Sequence, residues 1–181
     1  MADFNHQNIK KQITGISYPV GAEIGVHRGE LSEILLKNNR NLFLYMIDIW
    51  SHDSYLGKGA NAASETAIKN YQDNCDENYA AAIAVHERYP SRSKVHRIDS
   101  IKMAWRFANY HFDFVYIDGA HDYLSVKTDV LAWMPKVKHG GWLCGHDYDN
   151  PLYPDVKLAV DEMFGDQVQP DSDFTWFVRM V

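Results

Sequence analysis

G-A-E-I-G-V-H-R-G, residues 21–29, ends an apolar run and opens a helical pattern. Val20 to Val26 reads as a first strand. Gly29 to Asn39 reads as a helix with Leu31, Ile34 and Leu35 on one face. Gly25 and Gly29 allow a sharp turn and a close approach of backbone to a ligand. A dinucleotide fingerprint would need a further glycine where Val26 or His27 stands, so a pyrophosphate cradle is disfavoured, and with it a nicotinamide dehydrogenase. Glu23 interrupts the strand. An unpaired buried carboxylate is costly, so this one either has a local partner or faces a cationic ligand.

Beyond this stretch the sequence alternates between apolar runs and helical patterns, which predicts an α/β fold with a mostly parallel sheet. Leu42 to Ile49 is a near-continuous apolar strand reaching Asp48, as expected for a strand covered on both faces. An Ala-rich helix is expected over residues 61–88, with a break near Cys75, and Pro90 ends it. Lys94 to Ile98 is a short strand, after which Asp99 or Ser100 caps a helix reaching Asn109. Phe112 to Ile117 is a fourth strand. The helix after it runs from Asp122 to Met134, with Tyr123, Val126, Val130, Leu131 and Met134 at helical spacing. Trp142 to Gly145 is a fifth strand, entered through a Gly140-Gly141 turn. Pro154 to Phe164 is a helix with Pro in its first turn and Gly just past its end. The tail F-T-W-F-V-R-M-V forms a final strand.

A chain of 181 residues with 46% hydrophobic and 23% charged composition predicts one folded domain over 1–181, with a helical extension at 1–19. The net charge of -6 and the lack of a basic block disfavour nucleic acid and leave a small-molecule acceptor as the expected partner. Two cysteines at unrelated positions make neither a metal motif nor a disulfide scaffold. With no signal-like start and no window of about 18 apolar residues, the chain is expected to be soluble and cytoplasmic, without a membrane partner. A homodimer is left open.

The remaining chemistry lies at strand ends, where open α/β sheets bind ligands. Asp48 stands 23 residues after Gly25, a separation that suits a ribose-binding acid. Residues 112–123, F-D-F-V-Y-I-D-G-A-H-D-Y, place Asp118 after an apolar strand and His121 three residues later. Residues 140–148, G-G-W-L-C-G-H-D-Y, place His146 and Asp147 at a neighbouring strand end. Asp118, Asp147 and His146 are therefore a candidate metal set. Oxygen donors favour Mg2+ or Ca2+, and imidazole tilts the choice toward Mn2+ or iron.

The E-x-G-x-x-x-G turn resembles the first motif of class I S-adenosylmethionine-dependent methyltransferases. The I-D-G-x-H-x-Y and G-G-x-x-x-x-H-D-Y strings resemble the small family that includes macrocin-type sugar O-methyltransferases, over about residues 20–150. That resemblance implies a Rossmann-like seven-stranded sheet, mostly parallel with an antiparallel C-terminal strand and helices on both faces. It implies S-adenosylmethionine as cofactor. Glu23, Gly25 and Gly29 would surround the methionine part, with Val26 and His27 also at the cofactor. Asp48 would bind the ribose, and Ile49 and Trp50 would line the adenine pocket. Asp99 and Ser100 would meet the adenine, Asp99 accepting from the exocyclic amine. A divalent ion such as Mg2+ would sit on Asp118 and Asp147, with His146 where such families often carry another acid or amide. The catalytic pair would be Asp118 and His121, with His121, at an ordinary pKa near 6.5, as general base. Residues 51–60 are a candidate lid. The expected activity is O-methylation of a small hydroxylated acceptor. The alternatives are a metal-dependent hydroxylase resembling cephalosporin hydroxylases, with His121, His146 and Asp118 as a two-His, one-carboxylate iron site, and a non-catalytic cofactor-binding protein.

Overall fold

The computed structural model describes residue 9 and residues 12–51 and 65–181, the side chains of 65–72 excepted. The candidate lid past Ser51 and most of the N-terminal extension lie outside the described residues. Ile9, Gln12 and Ile13 are helical, and Ile9 and Ile13 are buried.

The elements follow in order: β1 (Val20–Ile24), α1 (Glu30–Asn38), β2 (Phe43–Asp48), α2 (Glu65–Arg88), β3 (Ser93–Arg97), α3 (Ser100–Ala104), β4 (Phe112–Ile117), α4 (Tyr123–Trp133), β5 (Val137–Gly145), α5 (Pro154–Phe164), β6 (Gln169–Pro170) and β7 (Trp176–Arg179). They form a seven-stranded sheet in the order β3-β2-β1-β4-β5-β7-β6. Strands β1 to β5 pair in parallel, whereas β7 pairs antiparallel with both β5 and β6. The mostly parallel α/β sheet follows the alternation, and the strand number and antiparallel C-terminal strand are those the resemblance implies.

Strand β4 shows why the apolar runs are continuous. Its side chains alternate between two cores: Phe112, Val115 and Ile117 enter one, Phe114 and Tyr116 the other. The first core is completed by α3, α4 and α5 through Met103, Val130, Trp133 and Val160. The second is completed by α1 and α2 through Leu35, Leu36, Ala82 and Val85. A strand buried on both faces has no polar side to display.

Four local expectations are corrected. Helix α2 passes through Cys75 without a break, because the segment holds no Gly or Pro and Cys75 packs in the core. Helix α3 stops at Ala104 rather than near Asn109; beyond it Phe107 packs edge-on against Tyr45 and Phe112. Strand β5 begins at Val137, and the Gly140-Gly141 pair lies within it, beside an irregularity in its pairing with β4. A side chain on Gly141 would meet the Asp113 carbonyl at 2.7 Å, so this strand position needs glycine. Finally, Ile34 and Leu131 lie at the solvent edge of their helices, while Leu36 of α1 and Asp129 and Trp133 of α4 are buried. Among the described residues no helix is long and apolar enough to cross a membrane.

Candidate active site

Strand order reverses between β1 and β4, and the carboxyl ends of β1, β2, β4 and β5 meet there. Their loops are joined by backbone hydrogen bonds: Gly25 N to Ile47 O at 2.9 Å, Asp118 N to Ile24 O at 2.7 Å, and His146 N to Ile117 O at 3.1 Å. Gly25 sits at φ 86°, and a Cβ there would stand 2.0 Å from the Asp118 carbonyl oxygen. Only glycine tolerates both the left-handed backbone and this approach.

Two cavities open at this point, of about 840 and 380 Å³, and both are lined by Gly25, Asp48, Ile49, Gly119 and Ala120. They form one cleft with a larger and a smaller compartment. Asp118, His121, His146 and Asp147 line the larger one; Asp99, Ser100 and Asp129 line the smaller.

Asp48 fastens the loops around the cleft. Its Oδ2 accepts from the His27 backbone N–H at 2.9 Å and its Oδ1 from the Trp50 N–H at 2.8 Å. Trp50 is buried, donates its indole N–H to the His27 carbonyl at 2.7 Å, and packs on Tyr79. Trp50 therefore supports the loops and does not line the cleft. Val26 is likewise a core residue. His27 and Ile49 do line the cleft. Gly29, at φ 87°, starts α1 away from the cavities and faces Val85 and Ala82 of α2, so its smallness serves helix packing.

Glu23 is not an open wall of the cleft. It is 2% exposed and accepts a hydrogen bond from the Ser32 hydroxyl of α1. Burial pushes its carboxyl well above the usual range; the Ser32 hydrogen bond opposes this, and the nearby charges of Asp118, Asp48 and Glu30 add to it. The odd acid in an apolar strand thus has a local partner beneath the turn.

Asp99 caps α3, accepting from the Lys102 N–H at 2.9 Å, while also lining the smaller compartment. Ser100 donates its hydroxyl to Asp129 and accepts the Trp133 indole N–H at 2.8 Å.

In the larger compartment, Asp118, His121 and Asp147 bring three donor atoms within 4.8 Å of one another. His121 Nε2 lies 2.7 Å from Asp147 Oδ2 and 3.6 Å from Asp118 Oδ1. The sequence reading grouped Asp118 and Asp147 with His146; the third member of the cluster is instead His121. Asp147 takes a left-handed backbone (φ 59°) just past β5 and meets the β4 loop, while His146 sits beside it with Nδ1 3.5 Å from Asp147 Oδ1.

Charge in the cluster is strongly coupled. The carboxylates of Asp118 and Asp147 raise His121 to about 9, against the effect of burial. Burial would raise Asp147, yet the facing His121 and His146 imidazoles and the Asn150 amide hold it well below the ordinary carboxylate range. Burial lowers His146, but Asp147 and Asp118 outweigh it and leave a net rise.

Three residues missed from sequence shape the cleft. Tyr153 stacks on His121 with ring centroids 4.2 Å apart. Asn150 donates to Asp147 Oδ1 at 2.6 Å. Asp129 is an acid on the buried face of α4. The first two belong to D-N-P-L-Y-P-D, residues 149–155, whose position just past a strand end is the signal that could have found them.

A family model described as a methyltransferase domain matches residues 22–148. No curated protein matches the sequence significantly. Among solved structures, a putative caffeoyl-CoA O-methyltransferase from Staphylococcus aureus superposes with TM-score 0.61 at 13% identity, over 96% of this chain and 81% of that one. CalS11, a TDP-rhamnose 3'-O-methyltransferase of calicheamicin biosynthesis, superposes with TM-score 0.58 at 17% identity, over 96% and 76%. MycE, a methyltransferase of the mycinamycin pathway in complex with Mg and SAH, gives TM-score 0.58 at 14% identity, over 96% of this chain and 48% of that one. With the family model spanning most of the chain and the strand order described above, the protein belongs to the methyltransferase-domain family and has its Rossmann-like fold.

Proposed function

We propose that this protein is an S-adenosylmethionine-dependent O-methyltransferase acting on a small hydroxylated acceptor with the help of a divalent cation. One observation carries the reading: a single cleft at the strand-order switch runs from an acid-lined smaller compartment to a carboxylate–imidazole cluster in the larger one. A nucleoside-sized ligand and an acceptor can therefore meet at Gly25 and Gly119.

The residues present fit both groups. Asp48 offers an acceptor for ribose hydroxyls, and Asp99 and Asp129 place further acceptors in the smaller compartment. The acidic walls suit a ligand bearing a sulfonium and an ammonium. When bound, S-adenosylmethionine supplies an electrophilic methyl group. Asp118 and Asp147, with His121 beside them, would hold Mg2+ or Mn2+. Held there, such a cation would lower the pKa of an acceptor hydroxyl.

The chain's own contribution is largely positioning. Gly25 brings the β1 turn against the Asp118 backbone and sets the floor of the cleft. Tyr153 gives the acceptor side a flat aromatic wall and fixes the His121 ring by stacking. His121 is held protonated by two carboxylates. With Asp118 and Asp147 as its oxygen donors, such a cation would leave the His121 imidazole beside them as the chain's own group for taking the acceptor's proton.

Titration calorimetry with S-adenosylhomocysteine, with and without Mg2+, tests the reading. Binding with a Kd of about 1–100 μM is expected. No binding in either buffer would remove the proposal.

A further inference from the structure

Helix α4 buries Val126, Asp129, Val130 and Trp133 against the sheet, so one acid lies in an apolar stripe. Asp129 is 8% exposed. Its Oδ1 accepts the Ser100 hydroxyl, and Ser100 in turn holds the Trp133 indole N–H. This chain of hydrogen bonds joins α3 to α4 and uses one carboxylate oxygen. The other, Oδ2, accepts no hydrogen bond from the described residues. It stands 3.4 Å from the position a Cβ on Gly119 would occupy, at the wall of the smaller compartment. Glycine at 119 leaves the space in front of it open.

A carboxylate in an apolar stripe is more than is needed to hold a serine, a task an amide would do at less cost, and its second oxygen opens on the cleft. Burial already pushes Asp129 up to about 6, with the nearby Asp99 charge adding to the rise and the Ser100 hydrogen bond opposing it. The rest of the compartment includes Ile49, Ala120, Ile101 and Leu124, which suit the faces of a flat ring. An acceptor at the edge of a flat apolar slot reads a ring that carries an N–H donor at its rim.

We propose that Asp129 is a specificity-determining residue for the nucleoside, its Oδ2 accepting an N–H from the exocyclic amine of a 6-aminopurine. A 6-oxopurine would present a carbonyl oxygen to the same carboxylate and be rejected. Asp99, which shares the compartment, already accepts the α3 backbone N–H through Oδ1. The assignment rests on the reading of this cleft as a nucleoside-binding site.

The test compares binding of S-adenosylhomocysteine and S-inosylhomocysteine, its 6-oxo analogue, to the full chain by calorimetry. Wild type is expected to prefer the amino form by about 10–100-fold. In Asp129→Asn the side-chain carbonyl can still accept from Ser100, and the amide N–H₂ faces the cleft. That variant is expected to lose at least about tenfold for the amino form and to gain for the oxo form, reversing the preference. A preference that reverses in Asp99→Asn and not in Asp129→Asn overturns the assignment. Equal affinity of wild type for both nucleosides, or an unchanged ratio in Asp129→Asn, overturns the assignment while leaving the methyltransferase reading intact. Absence of any binding to wild type overturns that reading itself, and this inference with it. Should Asp129→Asn fail to fold, the wild-type ratio decides the matter alone.

Discussion

His121 Nε2 lies 2.7 Å from Asp147 Oδ2, tying the loop after β4 to the end of β5. The contact brings together two residues 26 positions apart. It lies in the wall of the larger compartment and couples the charge of the cluster to the stability of the domain.

In metal-free protein this pair should give a pH-dependent stability of defined sign. The His121 pKa is raised on folding from 6.5 to about 9. Its contribution is therefore fully present below about 6.5 and lost as pH rises through about 9. On the acid side, Asp147 is depressed from 3.8, so its share is lost only as pH falls well below that value. Thermal unfolding in chelator should show wild type above His121→Gln by a constant margin near pH 5–6, shrinking toward pH 10. A margin that grows with alkaline pH would contradict the assignment.

Divalent cations should stabilise the fold through the same cluster. Mn2+ or Mg2+ at about 100 times its Kd is expected to add about 2.7 kcal/mol. The gain should vanish in the Asp118→Asn, Asp147→Asn double variant. Asn keeps the size of Asp and is one of the few residues that tolerate the left-handed backbone at 147. Melting temperatures of both proteins across a cation titration check this.

Gly25→Ala should be among the most damaging small substitutions. It places a methyl group 2.0 Å from the Asp118 carbonyl and forces alanine to φ 86°. A loss of about 2–4 kcal/mol is expected by chemical denaturation, together with loss of S-adenosylhomocysteine binding.

Glu23→Gln should be mild, and its effect should depend on pH. The wild-type carboxyl is raised on folding, so its contribution is present below the ordinary value of 4.5 and lost as pH rises. Glutamine keeps the size and an acceptor for Ser32 without the charge. The variant should gain stability relative to wild type as pH climbs from 4 to 8, measured by urea unfolding. A difference that is flat with pH would show that Glu23 ionises freely.

Much of this architecture was legible without coordinates. Continuous apolar runs ending in acids predicted parallel strands covered on both faces, because a twice-buried strand admits a polar residue only where a partner waits for it, as Ser32 does for Glu23 and Lys138 for Asp113. Gly25 was legible for a related reason: a strand that must turn at once into a ligand-facing loop needs a residue without Cβ. Asp48, Asp118 and Asp147 were each found as strand-end acids. Which neighbours they would have was not. Asp118 and Asp147 lie 29 residues apart, and His121 or His146 could equally have joined them on spacing alone. The left-handed turn at Asp147 and the stacking of Tyr153 on His121 bring His121 into the cluster. Likewise the sequence leaves Glu23 between a local partner and a cationic ligand, and Ser32 of α1 supplies the partner; the resemblance puts Trp50 in the adenine pocket, whereas its indole N–H reaches the His27 carbonyl. Local pattern determines the elements, because burial and backbone conformation act residue by residue. Partnership among side chains is decided only when the sheet order and loop conformations set distances that no single segment contains.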